Sequence, residues 1–101
     1  MSISIKYLQE YIKAKDHKPE LKEGYFMKLV EEVGELSRAM QKSSPAPIQG
    51  EIKGTIDEEL YDVIYYALAL ANCYDIDLER VIPLKERINN EKYGNSIKFG
   101  D

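Results

Sequence analysis

Two short acidic runs carry the residue types best suited to chemistry: Glu31, Glu32 and Glu35 in EEVGE, and Glu58, Glu59 and Asp62 in EELYD. On a helix, positions i and i+3 share a face, so each run would project a pair of carboxylates to one side. Two such faces packed together make an all-oxygen pocket of four carboxylates, which is the donor set of a hard divalent cation. A cation held that way most often serves phosphate chemistry. A single E-x-x-E is more often a solvated helix face, and the helix dipole alone explains Asp57 and Glu58 in a first turn. The joint presence of two clusters weighs the other way. The second lies near the start of the most apolar segment, where unpaired carboxylates would cost on the order of several kcal/mol.

The donor types narrow the cation. His17 is the only imidazole and sits in a break before Pro19, where a solvated polar residue is the expectation. No E-x-x-H pair of the di-iron type is present, and zinc would want His or Cys. Mg²⁺ or Mn²⁺ is the better choice.

Four helical segments must position these groups, which predicts an all-α chain. The first runs from about Ile5 to Lys15, with Ile5, Leu8 and Ile12 at helical spacing. The second runs from about Leu21 to Lys42, and its apolar stripe is Phe26, Leu29, Val30, Val33, Leu36 and Met40. At about 100° per residue, Glu32 falls at the edge of that stripe, Glu35 one step further round, and Glu31 nearly opposite. Residues 43–54 hold two prolines, two serines and two glycines and read as a long loop of the kind that is often a functional lid or simply mobile. Thr55 with Glu58 forms a T-x-x-E capping box that starts the third helix, about Ile56 to Tyr74. That helix is apolar over most of its circumference, which predicts a central, buried position. A fourth segment begins near Asp77 and runs to about Tyr93, and Pro83 should kink it or delay its start. Gly94 is a stop, and 95–101 reads as a loose tail.

Size and charge bound the rest. A chain of 101 residues suits one domain with a modest core, so self-association is expected. Lys plus Arg is 14 and Asp plus Glu is 18, and the net charge of −4 argues against nonspecific binding to nucleic acid or membrane surfaces. The single cysteine, Cys73, lies in an apolar run and reads as a core residue of a reducing compartment. Lys6, Gln9 and Glu10 interrupt any signal-like stretch, and Val63 to Ala71 is too short to span a bilayer, so the cytoplasm is the default location.

The pattern E-E-x-x-E, a loop-containing spacer and E-x-x-D resembles the MazG-like family of all-α nucleoside triphosphate pyrophosphohydrolases. It stands here as Glu31-Glu32-Val33-Gly34-Glu35 and Glu59-Leu60-Tyr61-Asp62, followed by the apolar run VIYYALALAN, over about residues 20–93. The resemblance implies a four-helix bundle completed by oligomerisation, as a homodimer or homotetramer with sites near subunit interfaces. It implies Mg²⁺-dependent hydrolysis of a nucleoside triphosphate to the monophosphate and pyrophosphate, as in the clearing of unwanted nucleotides. Carried over by motif position, Glu32, Glu35, Glu59 and Asp62 are the metal ligands, and Glu31 and Glu35 are the catalytic acids, Glu31 assisting the attacking water. In relatives the fourth segment often supplies groups to the phosphates, for which Asn89, Asn90, Lys92 and Arg87 are candidates; a solvated helix end is the alternative. Lys28 would face phosphate or pair with Glu32 or Glu35, and Asn72 would contact substrate or cap a neighbouring backbone. Tyr61, Tyr65 and Tyr66 would stack on a base or, more often for tyrosines so placed, pack in a core or interface. Two other readings stay open: a metal–nucleotide binding module without turnover, and a structural helical oligomer with solvated acids.

Overall fold

Three of the four helices start where the sequence supplies a side-chain oxygen for the free backbone N–H groups of a first turn. In the computed structural model, which describes residues 1–42, 52–94 and 96–100, there are four α-helices: α1 (Ile5–Lys15), α2 (Lys22–Lys42), α3 (Ile56–Cys73) and α4 (Leu78–Lys92). Ser4 Oγ accepts from Tyr7 N at 3.0 Å to cap α1. A short 3₁₀ turn, Pro19–Leu21, leads into α2. Thr55 Oγ1 accepts from Glu58 N at 3.3 Å to cap α3, and Glu58 Oε1 reaches back to accept from Gly54 N at 2.6 Å. The reciprocal capping box therefore closes one residue further back than the motif implies. Asp77 Oδ1 accepts from Glu79 N at 3.0 Å to cap α4.

Helices α2 and α3 form an antiparallel pair. Glu32 meets Glu59 and Asp62 at one end of their contact, while Tyr25 joins Leu68 and Ala69 in the buried core at the other. Ile12 of α1 completes that core, with Leu8, Tyr65, Leu70 and Leu78 packed around it. The chain reversal into α4 is locked by an amide pair. Gln9 Nε2 donates to Asn72 Oδ1 at 3.1 Å and to the Ile76 carbonyl at 2.8 Å, and Gln9 Oε1 accepts from Leu78 N at 3.1 Å. Asn72 Nδ2 donates in return to the Gln9 carbonyl at 3.0 Å.

Three expectations are corrected. Pro83 does not delay α4: Asp77 caps the helix at Leu78 and it runs through the proline. The missing N–H removes one hydrogen bond, to the carbonyl four residues back, and the cap and the contacts of Leu78 outweigh it. Only Leu29 and Leu36 of the α2 stripe turn toward the chain's own core, where they are half-buried. Tyr25 and Ala39 are the buried residues, whereas Phe26, Val30, Val33 and Met40 are about half exposed. On α3, Leu60, Tyr61 and Ile64 are likewise exposed, so only its second half is deeply buried. The radius of gyration, 16.1 Å, exceeds the roughly 13 Å of a compact chain this long. One copy leaves wide apolar faces uncovered. Most of the expected 43–54 loop lies outside the described residues, as do Asn95 and Asp101 of the expected tail.

Candidate metal centre

The face of α2 that meets α3 carries Tyr25, Leu29, Glu32, Leu36 and Ala39, so Glu32 is the one carboxylate set into an otherwise apolar contact line. Opposite it, Glu59 and Asp62 stand one and two turns after the Thr55 cap of α3. One oxygen from each of Glu32, Glu59 and Asp62 lies within 4.8 Å of the others. Glu59 is only 7% exposed, and its Oε2 is buried without a hydrogen-bond partner.

Burial raises the Glu59 carboxyl first of all; hydrogen bonding and charge from Glu32, and charge from Asp62 and Glu58, raise it further, to about 7. Asp62 is also raised, by burial and then by the charges of Glu32 and Glu58 and a hydrogen bond to Glu32. Three carboxyls crowd together with no lysine or arginine paired to any of them among the described residues. A divalent cation among them would relieve both the repulsion and the unpartnered oxygen. The residues present therefore fit a hard cation with oxygen ligands.

Glu35 lies outside this group. Three residues advance 300° on a helix, so it sits about 60° round from Glu32, exposed and paired with Arg38 Nη1 at 3.3 Å. Glu31 points away and pairs with Lys28 Nζ at 3.3 Å. That hydrogen bond, then the charges of Glu31, Tyr66 and Glu32, raise the Lys28 ammonium. Asn72 is in the Gln9 pair at the far end of α3, with its amide fully engaged there. On α4, Asn89 Nδ2 donates to Glu86 Oε2 at 3.1 Å, Asn90 Nδ2 donates to the Ile97 carbonyl at 3.0 Å, and Lys92 lies over the Tyr93 ring. Within one chain none of these four joins the carboxylate group.

Tyr65 and Tyr66 meet edge to face at 5.1 Å, and Tyr61 is exposed. Asp16 follows the last residue of α1 and carries no motif that marks it from sequence. Asp16 Oδ1 accepts from Tyr25 OH at 2.7 Å and Oδ2 accepts from Tyr65 OH at 3.0 Å. Burial, and then the Asp16 hydrogen bond, push the Tyr25 hydroxyl up to about 12 and the Tyr65 hydroxyl higher still. The partners stand 9 and 49 residues away, so no local pattern announces the contact.

A helical pair carrying facing acids defines a class that comparison identifies. The profile of the MazG nucleotide pyrophosphohydrolase domain matches residues 21–92, and the chain belongs to that family. It is similar to dCTP pyrophosphatase 1 of Rattus norvegicus, 34% identical over 84 residues covering 72% of this chain. The match takes in 49% of that protein, so the chain spans about half the length of the curated relative. Among solved structures it is similar to iMazG from Vibrio DAT 722. One crystal structure of that protein aligns with a TM-score of 0.82 at 49% identity, over 90% of this chain and 98% of the other. A second aligns with a TM-score of 0.80 at 48% identity, over 87% and 99%.

Proposed function

We propose that this protein is a Mg²⁺-dependent nucleotide pyrophosphohydrolase that cleaves a (deoxy)nucleoside triphosphate to the monophosphate and pyrophosphate. The observation that carries the reading is the Glu32–Glu59–Asp62 group, with one oxygen of each within 4.8 Å of the others and an unpartnered buried oxygen on Glu59. Membership of the family and the likeness to a dCTP pyrophosphatase support the same reaction class.

Glu32, Glu59 and Asp62 would hold the ion, with Glu35 as a fourth ligand once it leaves Arg38. That exchange is cheap, because an exposed ion pair is worth only about 0–1 kcal/mol. When bound, the cation supplies neutralisation of phosphate charge and acidification of water. The chain itself supplies orientation: Glu59 is fixed by burial, and Glu32 is fixed by the α2–α3 contact line. Lys28, one turn before Glu32, is placed to meet a phosphate oxygen in exchange for Glu31. The freed Glu31 carboxylate would then be available to orient water. Positioning and charge stabilisation carry the reaction, with no covalent intermediate required.

The exposed apolar faces of α2, α3 and α4 favour a homodimer or homotetramer. Asn89, Asn90 and Lys92, remote from the carboxylates of their own chain, would then act on the site of a second copy.

The test is incubation with a panel of (d)NTPs and Mg²⁺, resolving monophosphate, diphosphate, phosphate and pyrophosphate. The expected products are monophosphate and pyrophosphate, formed only with the divalent ion and lost in Glu59→Gln. Pyrophosphate release that survives Glu35→Gln unchanged would remove Glu35 from the mechanism. Metal-dependent nucleotide binding without turnover would make the protein a binding module instead.

A further inference from the structure

The acids of the two motifs divide into two kinds. Glu32, Glu59 and Asp62 stand together with no lysine or arginine paired to them among the described residues, and Glu59 Oε2 is buried without a hydrogen-bond partner. Glu31 and Glu35 each hold a basic side chain one turn away, Lys28 and Arg38, at 3.3 Å. The geometry of α2 gives the second pair a direction. Glu35 lies about 60° round the helix from Glu32 and about 4.5 Å further along its axis, and Arg38 lies about another 60° round in the same sense. The guanidinium therefore stands on the side of Glu35 away from Glu32. Pairing with it draws the Glu35 carboxylate off the acid group.

Four carboxylates drawn together repel one another more strongly than three, and Arg38 gives the fourth a partner elsewhere. The side chains of Arg38 and Glu35 are exposed, at 64% and 47%, so the pair opens and closes at little cost. A divalent ion that recruits Glu35 must nevertheless take it from the guanidinium. Its binding is weakened by whatever the pair is worth, because a ligand shifts a two-state side chain only by its differential affinity for the two positions.

We propose that Arg38 is a positioning residue that acts through Glu35: it withholds the fourth carboxylate from the metal centre and so keeps the affinity of the nucleotide-free protein for a divalent cation low. This rests on the metal reading of Glu32, Glu59 and Asp62, with Glu35 as their fourth ligand.

The experiment titrates Mn²⁺ into the full chain without nucleotide, at one pH and ionic strength, and reads free Mn²⁺ by electron paramagnetic resonance. The proteins are the wild type, Glu59→Gln, Arg38→Ala, Arg38→Lys, Glu35→Gln and the double variant Glu35→Gln/Arg38→Ala. Arg38→Ala should tighten Mn²⁺ binding by about two- to fivefold, the range that an exposed ion pair can hold back. Arg38→Lys keeps a cation within i,i+3 reach of Glu35 and should restore an affinity within about twofold of wild type. Removing any nearby positive charge also favours a cation through the long-range field, and the double variant separates that effect from the pair. With Glu35→Gln already in place, Arg38→Ala should retain only the field's share, less than about twofold. An Arg38→Ala effect equal in the two backgrounds, or none in the wild-type background, overturns the proposal and leaves the metal reading standing. Mn²⁺ binding that is absent from the wild type, or that survives Glu59→Gln unchanged, overturns the metal reading and the proposal with it.

Discussion

Glu59→Gln separates a group strained by its own charge from one that is merely crowded. Glu59 is buried, and its carboxyl is raised from 4.5 to about 7 by burial and by Glu32, Asp62 and Glu58. The folded, metal-free protein therefore holds this proton to higher pH than the unfolded chain does. The stability this contributes is complete below pH 4.5 and is lost as pH rises through about 7. At 1.36 kcal/mol per pH unit the loss has an upper value of about 3 kcal/mol. Glu32 and Asp62 are only half-buried and admit water on one side, so the expected loss is about 1–3 kcal/mol. The neutral amide of Glu59→Gln escapes it. In EDTA at pH 8 the variant should be the more stable by that amount, a Tm higher by about 4–8 °C per kcal/mol, with the gap closing by pH 5. Thermal unfolding at pH 5, 6, 7 and 8, at one protein concentration and ionic strength, measures this. With Mg²⁺ and nucleotide in excess the order should reverse, since only the wild type gains from the ion. A variant no more stable than the wild type at pH 8 in EDTA, or a gap independent of pH, would refute the charge-strain argument.

Other perturbations have expected outcomes of their own. Thr55→Ala removes the α3 cap and should cost about 1 kcal/mol in urea unfolding; a loss below a few tenths would mean Glu58 alone holds that turn. Gln9→Ala leaves Asn72 Oδ1, the Ile76 carbonyl and Leu78 N without their partner, and should cost about 2–4 kcal/mol with KM unchanged in the folded fraction. Val30→Glu on the outer face of α2 should shift the sedimenting species from oligomer toward monomer; a wild type already monomeric at tens of micromolar contradicts the interface assignment. Arg38→Ala should alter unfolding by less than about 0.5 kcal/mol, because both members of the Glu35 pair are exposed.

The acids were legible because helical spacing is a strong signal, and because Glu59 and Asp62 stand on a helix too apolar to leave them unexplained. The starts of α3 and α4 were legible too, since Thr55 and Asp77 each precede the helix that they cap. The facing of α2 was not. Hydrophobic periodicity reports that a stripe is buried somewhere, and it does not distinguish the chain's own core from a partner's surface. Phe26, Val30 and Val33 therefore read as core and emerged exposed. Asp16 was hidden for a different reason: its two tyrosine contacts exist only once α1, α2 and α3 have packed. A start delayed to Pro83 was the wrong alternative, because the penalty of one lost hydrogen bond was set against a cap whose strength the sequence does not display.

The most direct test of the central claim is anomalous diffraction from crystals grown with Mn²⁺ and a nucleoside triphosphate analogue resistant to hydrolysis. The account predicts an anomalous peak within bonding distance of oxygens from Glu32, Glu59 and Asp62 and of the analogue's phosphates. Phosphates bound elsewhere, or a bound analogue with no metal among those three carboxylates, would contradict it.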